Sequence, residues 1–402
     1  VSELIETSMK RFPDDAVRIA LTPDSLYAAE YSDEASRILS RSDVRAACNF
    51  GRCLPGYSPT PLVENQGLAN ECRVGSVVIK DEGQRMPTHS FKVLGPPYAL
   101  AKQLLLRIGL SERSLHDLAD GNLKAAVQGI TACAATSGNH GRALAWACMQ
   151  FGCQCRIYMP ESTGACREEQ IQRIAATTIR VPGTYDDAAA QAAQDAKAYN
   201  YVLVGRGAHP DSRVRYHILH GYSLLGDELV CSKPSGCSAT HVFIPVGGGS
   251  LAAAVTGRLW MEYGAGRPLV ITVQPHSADS AYQSCLKGAR VPAVGDLSTL
   301  MDGLSVRNLA AVAWPILGRG AAAFVTIGDE VALKTLRRFD RDESIAIGET
   351  GIAAIAGFIA AANDAQIRDQ LGLDEKSRVV LVATEGVTDP GVLDNLISEG
   401  DR

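Results

Sequence analysis

Short runs of β-branched and aliphatic residues recur along this chain, and longer stretches with helical spacing of their apolar positions lie between them. Val77-Val78-Ile79 reads as a strand and Phe91 to about Ile108 as a helix. Thr131 to Thr136 is the next strand, and a Gly-led helix runs from Gly138 to about Phe151. Cys155-Arg156-Ile157-Tyr158 and Thr178 to Val181 are strand-like, separated by a helix from Cys166 to about Ala176. An Ala-rich helix from Tyr185 to about Tyr199 leads into the strand Tyr201-Val202-Leu203-Val204. His241 to Pro245, Leu269 to Val273, Phe324 to Ile327 and Val379 to Val382 repeat the strand pattern. This alternation predicts an α/β protein with mostly parallel sheets covered on both faces, joined by right-handed crossovers. The first fifty residues read as irregular helix and loop, and the polar segment Ser111 to Asn122 as a surface excursion.

Composition narrows the class. A chain of 402 residues leaves room for two or three domains at roughly 100–200 residues each. Apolar residues make up 46% and charged residues 21%, the balance of a soluble globular enzyme. A net charge of -5, with acids spread along the chain, gives no basic face for nucleic acid. No apolar stretch is long enough to span a bilayer. The acidic start Val1-Ser2-Glu3-Leu4-Ile5-Glu6 lacks the pattern of a signal peptide, so a cytoplasmic protein is expected. Eleven scattered cysteines, none in a C-x-x-C pair, read as buried free thiols; a metal site would want regular ligand spacing.

Four stretches carry candidate chemistry. Lys92 lies in Ser90-Phe91-Lys92-Val93-Leu94-Gly95, a less polar setting than a surface lysine prefers, and burial lowers a lysine's pKa toward nucleophilic use. Thr136-Ser137-Gly138-Asn139-His140-Gly141 follows an apolar strand; free backbone N–H groups there form an anion site, unless the turn is simply an N-cap. Pro245-Val246-Gly247-Gly248-Gly249-Ser250-Leu251 also follows a strand and suits one phosphate, since the spacing is not that of a dinucleotide fingerprint. Thr384-Glu385-Gly386 closes the last strand and places a neutral hydroxyl where it can face a ring nitrogen, with ordinary capping as the alternative.

In this order, these stretches resemble the fold-type II pyridoxal phosphate enzymes, which include threonine and serine dehydratases, serine racemase and tryptophan synthase β. The likeness runs from about Tyr57 to Pro390. Within the group the sequence is most similar to the diaminopropionate ammonia-lyase family, through Gly56-Tyr57-Ser58-Pro59-Thr60-Pro61-Leu62, the Lys92 box, Tyr158-Met159-Pro160, Tyr185-Asp186-Asp187, Met301-Asp302-Gly303-Leu304, Gly348-Glu349-Thr350-Gly351 and Thr384 to Pro390. The resemblance implies two three-layer αβα domains with mostly parallel sheets: a large cofactor-binding domain from 1–130 and 207–402, and a small substrate-carboxylate domain from 131–206. It implies pyridoxal 5'-phosphate held by Lys92 as a Schiff base. Gly247, Gly248, Gly249, Ser250 and Leu251 would then cradle the phosphate. Asn139 would take the ring hydroxyl, Thr384 the ring nitrogen, and Phe91 would flank the site. Thr136, Ser137, Gly138 and His140 would shape the substrate carboxylate pocket, and Asp186 or Asp187 would handle an L-substrate. A homodimer is also implied.

The expected reaction is β-elimination of ammonia from a small amino acid such as 2,3-diaminopropionate, giving a 2-oxo acid. Three features depart from the lyase pattern. Ser137 stands where that family has aspartate, as in dehydratases. Pro96-Pro97 replaces glycine and a small residue, and Met86-Pro87-Thr88-His89 replaces the usual lead into the lysine box. A serine or threonine dehydratase, a β-replacement synthase and a cofactor-binding protein without catalysis remain as alternatives. The Asp186-Asp187 pair also fits an ordinary acidic first turn of a helix.

Overall fold

The computed structural model describes residues 16–24, 26–27, 30–136, 138–205, 213–232, 239–342 and 345–398. Ser137 and the N-terminal Val1 to Glu6 therefore lie outside the described residues. Two sheets organise the chain. The larger contains β1 (Val17–Leu21), β2 (Leu62–Glu64), β3 (Ser76–Asp81), β8 (His241–Pro245), β9 (Leu269–Pro275), β10 (Ala323–Ile327) and β11 (Arg378–Ala383), in the order β1-β10-β9-β8-β11-β3-β2. The smaller contains β4 (Thr131–Ala135), β5 (Gln154–Pro160), β6 (Thr177–Val181) and β7 (Val202–Leu203), in the order β6-β5-β4-β7.

All pairings of the smaller sheet are parallel. In the larger sheet the inner strands are parallel, and only the edges β1 and β2 run antiparallel to their neighbours. Every residue of β4, β8 and β10 is buried, as expected of parallel strands with helices on both faces. The nine runs read as strands from the sequence are strands. The two edges are additions: β1 falls within the first fifty residues, and the three-residue β2 follows Pro61. Each packs on one neighbour only, so neither needs a long apolar run. Ser111 to Asn122 also differs from a simple excursion. It contains the short helix Leu115–Ala119, whose Leu115, Leu118 and Ala119 are buried.

Within each sheet the parallel strands deliver their C-terminal ends to one edge, where ligands bind in open α/β sheets, and Asn139 after β4 meets Glu385 after β11. Helix Val214–Ser232 crosses close over the Lys92 segment. A Cβ on Gly221 would lie 2.1 Å from the Leu94 carbonyl oxygen, and one on Gly95 would lie 2.5 Å from the Tyr222 ring. Glycine at both positions lets the two backbones meet.

The same helix supplies Glu228 to a balanced cluster of buried charge. Lys80 Nζ lies 2.6 Å from Glu228 Oε2, and Arg85 reaches Glu228 Oε1 at 2.6 Å and Glu82 Oε1 at 2.8 Å. Thr60 Oγ1 donates to Glu82, and Tyr57 donates to Glu228 at 3.1 Å. Burial would raise the Glu228 carboxyl, but Arg85 and Lys80 outweigh it and hold it below the ordinary value. The cluster pins residues 80–85, which lead toward Lys92, against helix Val214–Ser232. Replacing Glu228 with Gln leaves two buried cations facing one carboxylate. The expected cost is about 3–5 kcal/mol, read as a lower urea midpoint with an unchanged slope.

Candidate active site

Lys92 sits in a 3₁₀ turn, Phe91–Leu94, whose start is capped by Ser90 Oγ accepting from Lys92 N at 3.4 Å. Helix Gly95–Arg107 follows directly. Pro96 and Pro97 fall in its first turn, where a missing N–H and a fixed φ cost nothing. The proline pair is thus compatible with an undisturbed helix start beside Lys92. The lead-in from Met86 to Ser90 is stitched to the end of β11. Gly386 N donates to His89 O at 3.0 Å, Phe91 N donates to Thr384 O at 3.2 Å, and Ser90 bridges Glu385. Lys92 Nζ rests 4.7 Å from the centroid of the Phe91 ring. Burial holds its amine below the ordinary lysine range, partly offset by the charge of Glu385.

The turn after β4 faces this lysine. Gly138 N donates to Thr136 Oγ1 at 3.2 Å, and Gly138 caps helix Asn139–Phe151. His140 Nε2 lies 2.7 Å from Val204 O. Burial pushes the His140 ring down to about 4, the Val204 carbonyl opposes this, and the charge of Lys92 adds to the lowering. The ring is therefore neutral at neutral pH, with Nε2 donating and Nδ1 left as an acceptor. Asn139 Nδ2 donates to Glu385 Oε2, and Arg142 donates to Asn139 Oδ1 at 3.1 Å.

The glycine run after β8 opens helix Ser250–Tyr263. Gly249 adopts φ +84° as the helix cap, a conformation that favours glycine. A Cβ at Gly247 would lie 2.9 Å from Gly303 O, whereas one at Gly248 would meet nothing within 4 Å. The loop is packed on one side and open on the other, at the N-terminus of a 14-residue helix, which is the setting for an anion. Ser250 is half-buried and Leu251 buried.

Thr384 is 2% exposed, and its Oγ1 has no hydrogen-bond partner. A buried hydroxyl left unpaired is costly, so its position at a strand end marks a place for a bound polar atom. Pyridoxal phosphate fits these residues on three counts: an amine taken out of water, an orphaned hydroxyl, and an open glycine turn at a helix N-terminus.

The remaining candidates are Asp186 and Asp187. Both are exposed in the first turn of helix Tyr185–Ala198. Asp187 completes a capping box, accepting from Thr184 N at 2.7 Å and Thr184 Oγ1 at 2.8 Å. The sequence reading also passed over several charged groups near Lys92. Arg167, on helix Ala165–Gln172, pairs with Asp302, with Glu349 at 3.6 Å and with Asp389 at 3.7 Å. It thereby ties the segment between β5 and β6 to loops of the larger sheet. Glu385, Glu349 and Asp302 stood in stretches quoted for other residues. Only their shared location in the fold brings out the acids themselves.

Residues 53–385 match the family described as pyridoxal-phosphate dependent enzyme. The diaminopropionate ammonia-lyase of Escherichia coli strain K12 is 32% identical over 381 residues, covering 92% of this chain and 95% of that enzyme. The crystal structure of Escherichia coli diaminopropionate ammonia lyase in complex with D-serine superposes with a TM-score of 0.84 at 29% identity, covering 96% of this chain and 97% of that one. The structure of that enzyme with an aminoacrylate-PLP azomethine reaction intermediate gives a TM-score of 0.83 at 29% identity and the same coverage. The chain belongs to the fold-type II family of pyridoxal-phosphate dependent enzymes.

Proposed function

We propose that this chain is an ammonia-lyase acting on a small amino acid such as 2,3-diaminopropionate, with a 2-oxo acid and ammonia as products. The observation that carries the reading is the amine of Lys92, buried and with its pKa lowered, beside the end of β11 and the turn after β4. The likeness to diaminopropionate ammonia-lyase over nearly the whole chain supports elimination as the reaction.

Lys92 holds the cofactor in this reading. Gly247, Gly248, Gly249 and Ser250 receive its phosphate through backbone N–H groups, with Leu251 beneath them. Asn139 presents an N–H to the ring hydroxyl, Phe91 packs beside the lysine, and Thr384 faces the ring nitrogen. When bound, the cofactor supplies the electron sink that lets an amino acid lose its α-proton and then its β-substituent. Thr136, Gly138 and the neutral His140, with Ser137 between them in sequence, bind and orient the substrate carboxylate. Lys92 Nζ, its pKa lowered by burial, accepts the α-proton. The neutral Thr384 hydroxyl does not force a proton onto the ring nitrogen, which suits elimination better than aminotransfer.

The division of labour follows the two sheets. Residues 1–130 and 207–402 form the cofactor-binding part, and 131–206, which contain the four-stranded sheet, form the carboxylate-binding part. The protein works as a cytoplasmic homodimer in this proposal. Among the described residues no helix is long and apolar enough to cross a membrane. For Asp187 the capping box favours a structural role over substrate handling.

Lys92→Ala should abolish the visible absorbance of the cofactor-loaded protein together with ammonia release. Wild-type protein should release ammonia from L-2,3-diaminopropionate faster than from L-serine or L-threonine. A Lys92→Ala protein with an intact band and full turnover would overturn the assignment, and a preference for serine or threonine would favour a dehydratase. Asp187→Asn should lower the thermal midpoint while leaving the ratio of kcat/KM for diaminopropionate and serine unchanged. A selective loss on diaminopropionate would restore Asp187 to substrate handling.

A further inference from the structure

Glu385 is 5% exposed and stands where the chemical segments of the chain meet. Its backbone bridges Ser90, two residues before Lys92, and its carbonyl accepts from Gly348 N at 3.2 Å. Its side chain reaches further. Oε2 accepts from Asn139 Nδ2, while Arg142 donates to Asn139 Oδ1 at 3.1 Å. A guanidinium only donates, so Arg142 fixes which way the Asn139 amide points, with its N–H groups toward Glu385. One Asn139 N–H is taken up by Glu385, and the amide carries a second. The Thr350 hydroxyl is a neighbour that helps to lower the Glu385 carboxyl. Thr350 Oγ1 in turn accepts from Gly303 N at 3.1 Å, and the carbonyl of Gly303 is what packs against Gly247. One residue therefore joins the lysine segment, through its backbone, to the amide at the turn after β4, through its carboxyl.

Resting on the reading of Lys92 as the cofactor lysine, we infer that Glu385 is a positioning residue: its carboxylate turns the Asn139 amide toward the cofactor and partly offsets the burial that disfavours the charged Lys92 amine. The charged groups that act on it are Lys92 from the 3₁₀ turn, Glu349 from the segment after residue 345, and Arg167 from helix Ala165–Gln172. Burial lowers Arg142, on helix Asn139–Phe151, and the charge of Glu385 offsets part of that. Asp302 and Asp389 neutralise part of Arg167 from the far side. Burial pushes the Glu385 carboxyl up to about 7, with Glu349 adding to the rise and Lys92 opposing it. The group thus changes charge near neutrality, and each added negative charge raises the pKa of the Lys92 amine.

The test compares wild type with Glu385→Gln, which keeps the size of the side chain and removes its charge. Two readouts are followed against pH: the visible absorbance of the cofactor-loaded protein, and the rate at which cyanate carbamylates Lys92 in the cofactor-free full chain, scored on the Lys92 peptide by mass spectrometry. Glu385→Gln should lower both midpoints by about one unit or more, as loss of a nearby opposite charge does. Glu385→Asp should bring them back toward wild type. If Glu385→Gln does not fold, Thr350→Val replaces it and should shift the midpoints in the same direction by less. Unchanged midpoints in a folded Glu385→Gln, or in Thr350→Val when that variant stands in, overturn the inference. Neither readout uses a substrate, so loss of the diaminopropionate reading would leave this result standing.

Discussion

A lysine amine serves as a nucleophile or base near neutral pH only if its charged form is made unfavourable. Burial does this for Lys92, and it does so at a cost that the surrounding structure must carry. The amine cannot be removed from water by a flexible loop. It is held by a short 3₁₀ turn, stitched on one side to β11 and pressed on the other by helix Val214–Ser232, where Gly95 and Gly221 permit backbone contact. The charge cluster of Lys80, Glu82, Arg85 and Glu228 anchors the preceding segment to that same helix. Packing, buried ion pairing and reactivity are thus linked through one turn.

The parallel topology explains why so many functional groups reach the same place. Strands β3, β8 and β11 run parallel and end on one side, and β4, β8 and β11 are each followed by a turn with glycine and hydroxyl residues. Two of these turns open helices of 13 and 14 residues, whose N-termini favour anions. Lys92, Arg142 and Arg167 lie among Glu349, Glu385, Asp302 and Asp389, so the region holds ionisable groups of both signs. Such a mixture places acids and bases within each other's field. It also leaves the titration of individual groups sensitive to one neighbour.

Much of this was legible in the sequence, for identifiable reasons. The interior strands are buried on both faces, so they appear as uninterrupted apolar runs that need no partner to be recognised. Glycine and hydroxyl residues at their ends mark the candidate anion turns directly. The edge strands β1 and β2 were not legible, because their pairing comes from β10 and β3, far along the chain or set by tertiary contact. The Arg85–Glu228 pair and the Asn139–Glu385 contact share that difficulty: their partners lie 143 and 246 residues apart. Asp187 shows the converse. Its Tyr-Asp-Asp setting fits two roles in sequence, and the capping box at Thr184 is a contact that the motif alone does not display.

The central claim is that Lys92, among all the lysines of the chain, carries pyridoxal phosphate. Borohydride reduction of the cofactor-loaded protein, followed by proteolysis and mass spectrometry, tests it directly. The account predicts a stoichiometric phosphopyridoxyl mass on the peptide containing Lys92. The same mass on a peptide bearing another lysine, or on none, would contradict it.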